Sequence, residues 1–163
     1  MPGDRVRGVH VAAMRARGIE ALRVGYGLAV VLAPRRVQRT FGVVPDSAST
    51  RVARVLGARH VAQGILSGAE PGREVLALGV WVDTLHALSM LGLAVLAPAR
   101  ARAGLTDSAV AGTFAALGAS DLVSGDVAGR SGLRDELARQ VLRRVPAGSA
   151  LLRLADARLS RRG

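Results

Sequence analysis

The chain has 163 residues, enough for one domain with a sizeable core and too few for two, and half of them are hydrophobic. Its net charge is +11 and its mean hydropathy +0.29, while aromatic residues make up only 2%. No cysteine is present, which excludes a disulfide framework, a thiol nucleophile and a Cys-based metal cage.

So basic a balance points to a polyanion, either nucleic acid or the anionic face of a membrane. The arginines flank apolar blocks, and Tyr26, Phe41, Trp81 and Phe114 are scattered along the chain. Nucleic-acid binders instead gather basic residues on one face, often beside stacking aromatics. The pattern favours a membrane and argues against nucleic acid.

Residues 1–17 form a basic N-terminal segment carrying Arg5, Arg7, Arg15 and Arg17. With the apolar block that follows it looks superficially like a secretory signal. Glu20 and Arg23 interrupt that block, however, and LAVVLAPRR offers no small-x-small cleavage site, so an uncleaved first span is expected. The first block, GIEALRVGYGLAVVLAP (18–34), closes at Pro34. Glu20 and Arg23, three residues apart, are expected to pair on one face and reach outward.

The second block is RVARVLGARHVAQGILSG (51–68). The third, EVLALGVWVDTLHALSMLGLAVLAP (74–98), is the most lipid-like, with Asp83 and His86 the only ionisable residues between Glu74 and Pro98. A bilayer span needs about 20 predominantly apolar residues. In the fourth block, 104–124, Asp107 and Asp121 mark the two ends. Links rich in Pro, Gly and Arg separate the blocks.

Beyond the fourth block, SGDVAGRSG (124–132) reads as a flexible joint. In the tail Leu133, Leu137, Val141, Leu142 and Val145 recur at helical spacing, interleaved with Arg134, Arg139, Arg143 and Arg144. Pro146 breaks this helix, and SALLRLADARL offers a second. Two dispositions suit such a tail: packed on its own bundle, or lying on anionic headgroups.

These elements predict an all-α fold: a four-helix transmembrane bundle over 18–124, followed by a basic amphipathic C-terminal helical tail over 125–163. Its spans are expected at about 18–34, 51–68, 74–98 and 104–124. With four spans both termini share a side. That side carries 14 arginines (Arg5, Arg7, Arg15, Arg17, Arg73 and nine beyond residue 124), against six on the other (Arg35, Arg36, Arg39, Arg51, Arg100, Arg102). The asymmetry predicts cytoplasmic termini in an inner (plasma) membrane, although the arginines of the 34–51 loop run against it.

An ionisable group at mid-span is costly and normally faces protein with a partner. Blocks two and three are joined by a short loop centred near Pro71, which suggests an antiparallel hairpin. Arg59 lies 12 residues before that centre and Asp83 lies 12 after it. Equal depth predicts an intramembrane Arg59–Asp83 ion pair. Gln63, one turn from Arg59, supports it, and Gly79 and Ala87 leave the Asp83 face small enough for close approach. Gly64 and Gly68 form a GxxxG step.

His60 and His86 are further polar candidates at similar depth. They are compatible with hydrogen-bonded structural roles, with ligation of a haem iron from opposite sides, or with a proton relay through Asp83 and His86. No Walker loop, Rossmann glycine fingerprint, HExxH or GxSxG motif occurs, so no enzymatic chemistry and no cofactor is implied.

The order of LAPRRVQRTFG (32–42), RVLGARHVAQGIL (54–66) and a third span with a central Asp83 resembles a family of small, uncharacterised four-span bacterial membrane proteins, abundant in actinobacteria. The all-arginine, GC-rich composition agrees with such an origin. The resemblance covers roughly residues 18–123 and implies a four-span membrane fold without a known activity.

The expected function is that of a non-enzymatic accessory subunit or a binder of lipid or small apolar molecules. Its partners would be the bilayer, anionic headgroups through the tail, and a second copy or a larger membrane complex. Two other readings stand beside it: a haem- or proton-handling redox subunit, and a soluble basic helical bundle that binds anionic partners.

Overall fold

The computed structural model describes residues 18–68, 71–124 and 132–156, and all regular structure among them is helical. The expectations for residues 1–17 and for most of the 124–132 joint lie outside the described residues. Helix α1 covers 18–32. Pro34, expected only to end the first block, also begins a second helix, α2 (Pro34–Thr40). Proline lacks the N–H that an interior turn needs, yet its fixed φ suits the first position of a new helix.

Helix α3 runs Ser47–Ser67, starting four residues before the expected boundary. Its start is set by reciprocal capping: Ser49 N–H donates to Asp46 Oδ1 at 2.6 Å, and Asp46 N–H donates to Ser49 Oγ at 2.9 Å. These bonds hold the Asp46 carboxyl below its ordinary range, helped by Arg100 nearby. Helix α4 (Arg73–Leu96), a 3-10 turn (Pro98–Arg100) and helix α5 (Ala101–Ser124) follow, and then α6 (Leu133–Arg144) and α7 (Gly148–Asp156).

The packing departs from the expected α3–α4 hairpin. Helix α4 packs most extensively on α5, while α3 and α4 meet only sparsely. Glycines fix the close contacts. A Cβ on Gly27 would come within 2.7 Å of the Gly57 carbonyl oxygen, and one on Gly57 within 2.8 Å of the Gly27 oxygen, so α1 and α3 cross backbone to backbone. Gly104 presses α5 onto Met90 and Ala94 of α4 in the same way. Small residues at crossings are the usual means of bringing helices together without a large apolar core. The GxxxG reading is corrected accordingly: Gly64 faces Val24 of α1, whereas Gly68 is the positive-φ end of α3. Gly79 leaves room for the Gln63 amide.

The tail helices dock on the bundle. Leu142, Leu152 and Ala155 bury against Ala77 of α4 and Leu122 of α5. Arg73 Nε donates to the Ala155 carbonyl at 2.6 Å and its Nη2 to that of Leu122 at 3.1 Å. Arg134 Nη1 donates to the Leu66 carbonyl at 2.8 Å. Guanidinium groups thereby satisfy carbonyls left over in the last turns of α3, α5 and α7. Arg139 pairs with Glu74, which holds its guanidinium further above the ordinary range, and Trp81 Nε1 donates to Pro146 O at 2.8 Å. The apolar stripe Leu133, Leu137 and Val141 faces away and is exposed.

Candidate functional site

On α1 and α4, and in part on α3, apolar side chains face outward and ionisable ones inward, the inverse of an ordinary water-soluble bundle. On α1 the exposed residues are Gly18, Ala21, Leu22, Gly25, Leu28, Ala29 and Leu32, whereas Glu20 and Arg23 are buried. On α3, Val55, Ile65 and Leu66 are exposed, together with Arg51 and Arg54 in its first turns, while His60 and Ser67 are buried. On α4, Leu85, Leu88, Leu91 and Val95 point out and Asp83 points in. Burying charge is expensive unless each charge finds a partner.

The partners converge on Asp83, which is 0% exposed. Arg59 Nη2 donates to its Oδ1 at 2.7 Å, and Arg23 Nη1 donates to its Oδ2 at 2.8 Å. Gln63 Nε2 approaches the same Oδ2 at 3.4 Å. Arg59 and Asp83 therefore stand together as depth counting expects, but across a gap spanned by long side chains and not across a tight hairpin. The expectation that Arg23 reaches outward is overturned: its side chain is 4% exposed. Its Nε stands 3.4 Å from Glu20 Oε2, an ion-pair distance without hydrogen-bond geometry, and its guanidinium lies 4.3 Å over the Phe114 ring. Asp83 is thus a clamp on two arginines from two helices, with Glu20 a second carboxylate beside Arg23.

Sequence spacing misses Arg23 because it sits only six residues into the described part of α1, where an arginine normally snorkels to the surface. The signal that finds it is periodicity. Glu20, Arg23, Gly27 and Val30 follow one helical face, and the opposite face is wholly apolar.

The histidines divide. His86 Nε2 lies 2.9 Å from Asp107 Oδ2, which ties α4 to α5. Asp107 is therefore more than a marker of the α5 entrance, and His86 is engaged with it and not with Asp83, the other member of the proton relay considered above. His60 is 1% exposed and packed between two rings, with centroid separations of 5.4 Å to Tyr26 and 5.4 Å to Phe114. Its Nδ1 is buried without a hydrogen-bond partner among the described residues. Opposed ligation of one iron by His60 and His86 does not match this arrangement, since one ring is bound to a carboxylate and the other is held between aromatic faces. No group of three or more metal-binding side chains occurs among the described residues.

His60 also forms part of the wall of a cavity of about 410 Å³ at the end of the bundle away from the tail. Its walls come from α1 (Tyr26, Val30), α2 (Val37, Gln38), α3 (Val52, Leu56), α4 (Met90, Leu93) and the start of α5 (Ala103, Thr106), with Phe41 and Val43 from the loop. Small-molecule sites typically enclose about 300–1,000 Å³, mostly apolar with a few polar groups. Both ionisable carboxylate or guanidinium groups in this wall are engaged elsewhere: Asp107 with His86, and Arg100 with Asp46 at 3.4 Å.

Comparison with family models, with curated proteins and with solved structures gives no match to this chain.

Proposed function

We propose that the chain is a non-enzymatic integral membrane protein whose four long helices cross the bilayer and hold a small apolar molecule in the cavity beside His60. The observation that carries this reading is the inversion of polarity, with Glu20, Arg23, His60 and Asp83 inside and leucine and valine outside on the same helices. Lipid makes that distribution favourable, because it rewards outward apolar faces and forces ionisable groups onto protein partners. The resemblance to small four-span bacterial proteins points the same way.

Among the described residues only α4 is by itself long and apolar enough to cross a membrane. Of the other long helices, α1 is described over only 18–32, and α3 and α5 carry charges on both faces, with Arg51, Arg54 and Arg102 exposed. In the proposed arrangement these arginines lie near the ends of their helices, where they reach the headgroup layer. The tail would lie at the cytoplasmic surface. Exposed Leu133, Leu137 and Val141 would enter the headgroup layer, with Arg143, Arg144 and Arg153 meeting anionic lipid.

Two measurements test the reading. The full chain should remain in the membrane pellet after alkaline carbonate extraction, and release to the supernatant would favour a soluble basic bundle. In detergent, naphthalene should raise the melting temperature of the wild-type protein and leave Ala53→Phe unmoved, because ligand binding to the folded state alone stabilises it. Equal response of the two proteins would remove the cavity as a binding site.

A further inference from the structure

Resting on that reading of the cavity, we infer that its ligand is a single-chain amphiphile with an anionic end, a long-chain carboxylate, whose chain fills the cavity while the carboxylate lies at the rim on Arg100 and Arg102.

Three observations carry this. The first is that two guanidinium groups gather at one edge of the cavity. Arg100, on the turn between α4 and α5, is part of the wall, and its Nη2 stands 3.4 Å from Asp46 Oδ2. Arg102 Nη1 lies 3.4 Å from the Gly42 carbonyl oxygen, so it rests on the loop whose Phe41 and Val43 line the cavity. Gly42 has a φ of +69°, and a Cβ there would come within 2.9 Å of that Nη1. Both arginines therefore reach from the α4–α5 turn to the loop between α2 and α3.

The second is that this pair is open to a ligand and short of negative charge. Arg102 is exposed, and the side chains of Arg100 and Asp46 are 46% and 55% exposed. An exposed ion pair is worth about 0–1 kcal/mol, and this one uses a single donor of the Arg100 fork. Asp46 spends its other oxygen on the Ser49 N–H. Two cations thus share one carboxylate. Arg35, Arg36, Arg39, Arg51 and Arg54, all exposed, add to the positive field of this end. The other carboxylate in the wall, Asp107, is held by His86. Such a rim attracts a carboxylate and repels an amine.

The third is the interior, where Val30, Leu56, Met90 and Leu93 give a largely apolar surface. A small inorganic anion gains nothing from that interior, and a plain hydrocarbon gains nothing from the rim. At about 410 Å³ the cavity lies toward the lower end of small-molecule sites, which suits one chain and not two. In the proposed arrangement the rim stands at headgroup level, so the carboxylate keeps the depth it has in a leaflet and no charge crosses the apolar core. No bond forms or breaks, so the step is binding alone.

The test uses dodecanoate, dodecanol and dodecylamine, which share a chain and differ in the end group, with naphthalene as the probe of the cavity alone. Each is titrated calorimetrically into the full chain in non-ionic detergent at mildly alkaline pH and corrected for its partition into protein-free micelles. Dodecanoate should bind wild type about tenfold or more tighter than dodecanol, and dodecylamine should bind weakest. The double change Arg100→Gln, Arg102→Gln should bring dodecanoate to the level of dodecanol and leave naphthalene unaffected. Arg36→Gln with Arg39→Gln removes the same charge from the face of α2 opposite Pro34, Val37 and Phe41, and should keep the preference. Asp46→Asn retains a capping side chain and frees Arg100, so dodecanoate should tighten by about two- to threefold.

Equal binding of dodecanoate and dodecanol, or tighter binding of dodecylamine, with naphthalene still bound would overturn the inference and leave the apolar cavity standing. So would a preference that survives the loss of Arg100 and Arg102, or one that the Arg36 and Arg39 changes abolish. Dodecanoate binding that persists in Ala53→Phe would put the chain outside the cavity and overturn it too. Failure of naphthalene and of all three chains to bind wild type would overturn both readings. If the Arg100, Arg102 variant does not fold, Asp46→Asn decides: unchanged or weaker dodecanoate binding overturns the placement on Arg100.

Discussion

The two ends of the bundle solve the problem of buried polarity in opposite ways. At the tail end Asp83 is saturated by Arg23 and Arg59, Glu74 is taken by Arg139, and an apolar cluster of Leu122, Leu142 and Leu152 closes the remaining space. At the other end a cavity of about 410 Å³ persists and His60 Nδ1 and Gln38 Oε1 go unpaired. Ionic partners and close packing stabilise the first end; the second gives up stability and keeps room. His60 and Arg59, adjacent in sequence and only about 1.5 Å apart along the helix, stand at the boundary between the two, because a step of about 100° turns one toward the cavity and the other toward Asp83.

The sharpest way to break the comparison is at the clamp. Asp83→Ala strands two guanidinium groups and should lower stability in detergent by roughly 3–5 kcal/mol. Arg59→Ala should cost less, roughly 1–2 kcal/mol, because Asp83 retains Arg23 and the Arg59 side chain is 23% exposed. Equal and negligible shifts in melting temperature for both would mean that the clamp does not hold the fold.

A second pair of variants should differ in sign. Ala77→Leu pushes a larger side chain into the filled tail-end cluster and should destabilise by about 1–3 kcal/mol. Ala53→Leu occupies space at the cavity end and should be neutral or stabilising by about 0.5–2 kcal/mol. Denaturant or thermal unfolding in a common detergent reads both. Two losses of similar size would show that the ends do not differ in packing.

How much of this was open to sequence reading depends on the kind of signal. Apolar periodicity and Pro, Gly and Arg punctuation locate the helical elements, because those features act over neighbouring residues. The start of α3 is legible too, since PDSAS contains the Asp46 and Ser49 capping pair, although the apolar block itself begins only at residue 51. Depth counting about Pro71 reaches Arg59 and Asp83, a relation that depends only on rise per residue. It cannot reach Arg23 or the His86–Asp107 pair, which depend on how α1 and α5 are rotated about their axes. The cavity is less legible still, because it is made by five elements that each leave a little space.

The smallest expected effect concerns the cap of α3 at the cavity end. The Asp46 carboxyl is held below its ordinary value of 3.8 by bonds from Ser49. Its contribution is therefore present above the unfolded value and is lost as pH falls through the lower folded value. Amide exchange at Ser49 and Thr50 should quicken slightly on acidification below 3.8, while the tail end shows no matching change. Loss at the tail end first would place the weaker end wrongly.

The central claim is that the outward leucine and valine faces meet lipid. The chain has no cysteine, so a single introduced thiol reports one position at a time. Leu28→Cys, Ile65→Cys and Leu88→Cys should resist a membrane-impermeant maleimide in intact cells and in opened membranes, and should react after unfolding in denaturing detergent. Val44→Cys, in the loop between α2 and α3 and 87% exposed, should react at once. Ready labelling of all four in native membranes would contradict the account and turn the molecule into a water-exposed bundle.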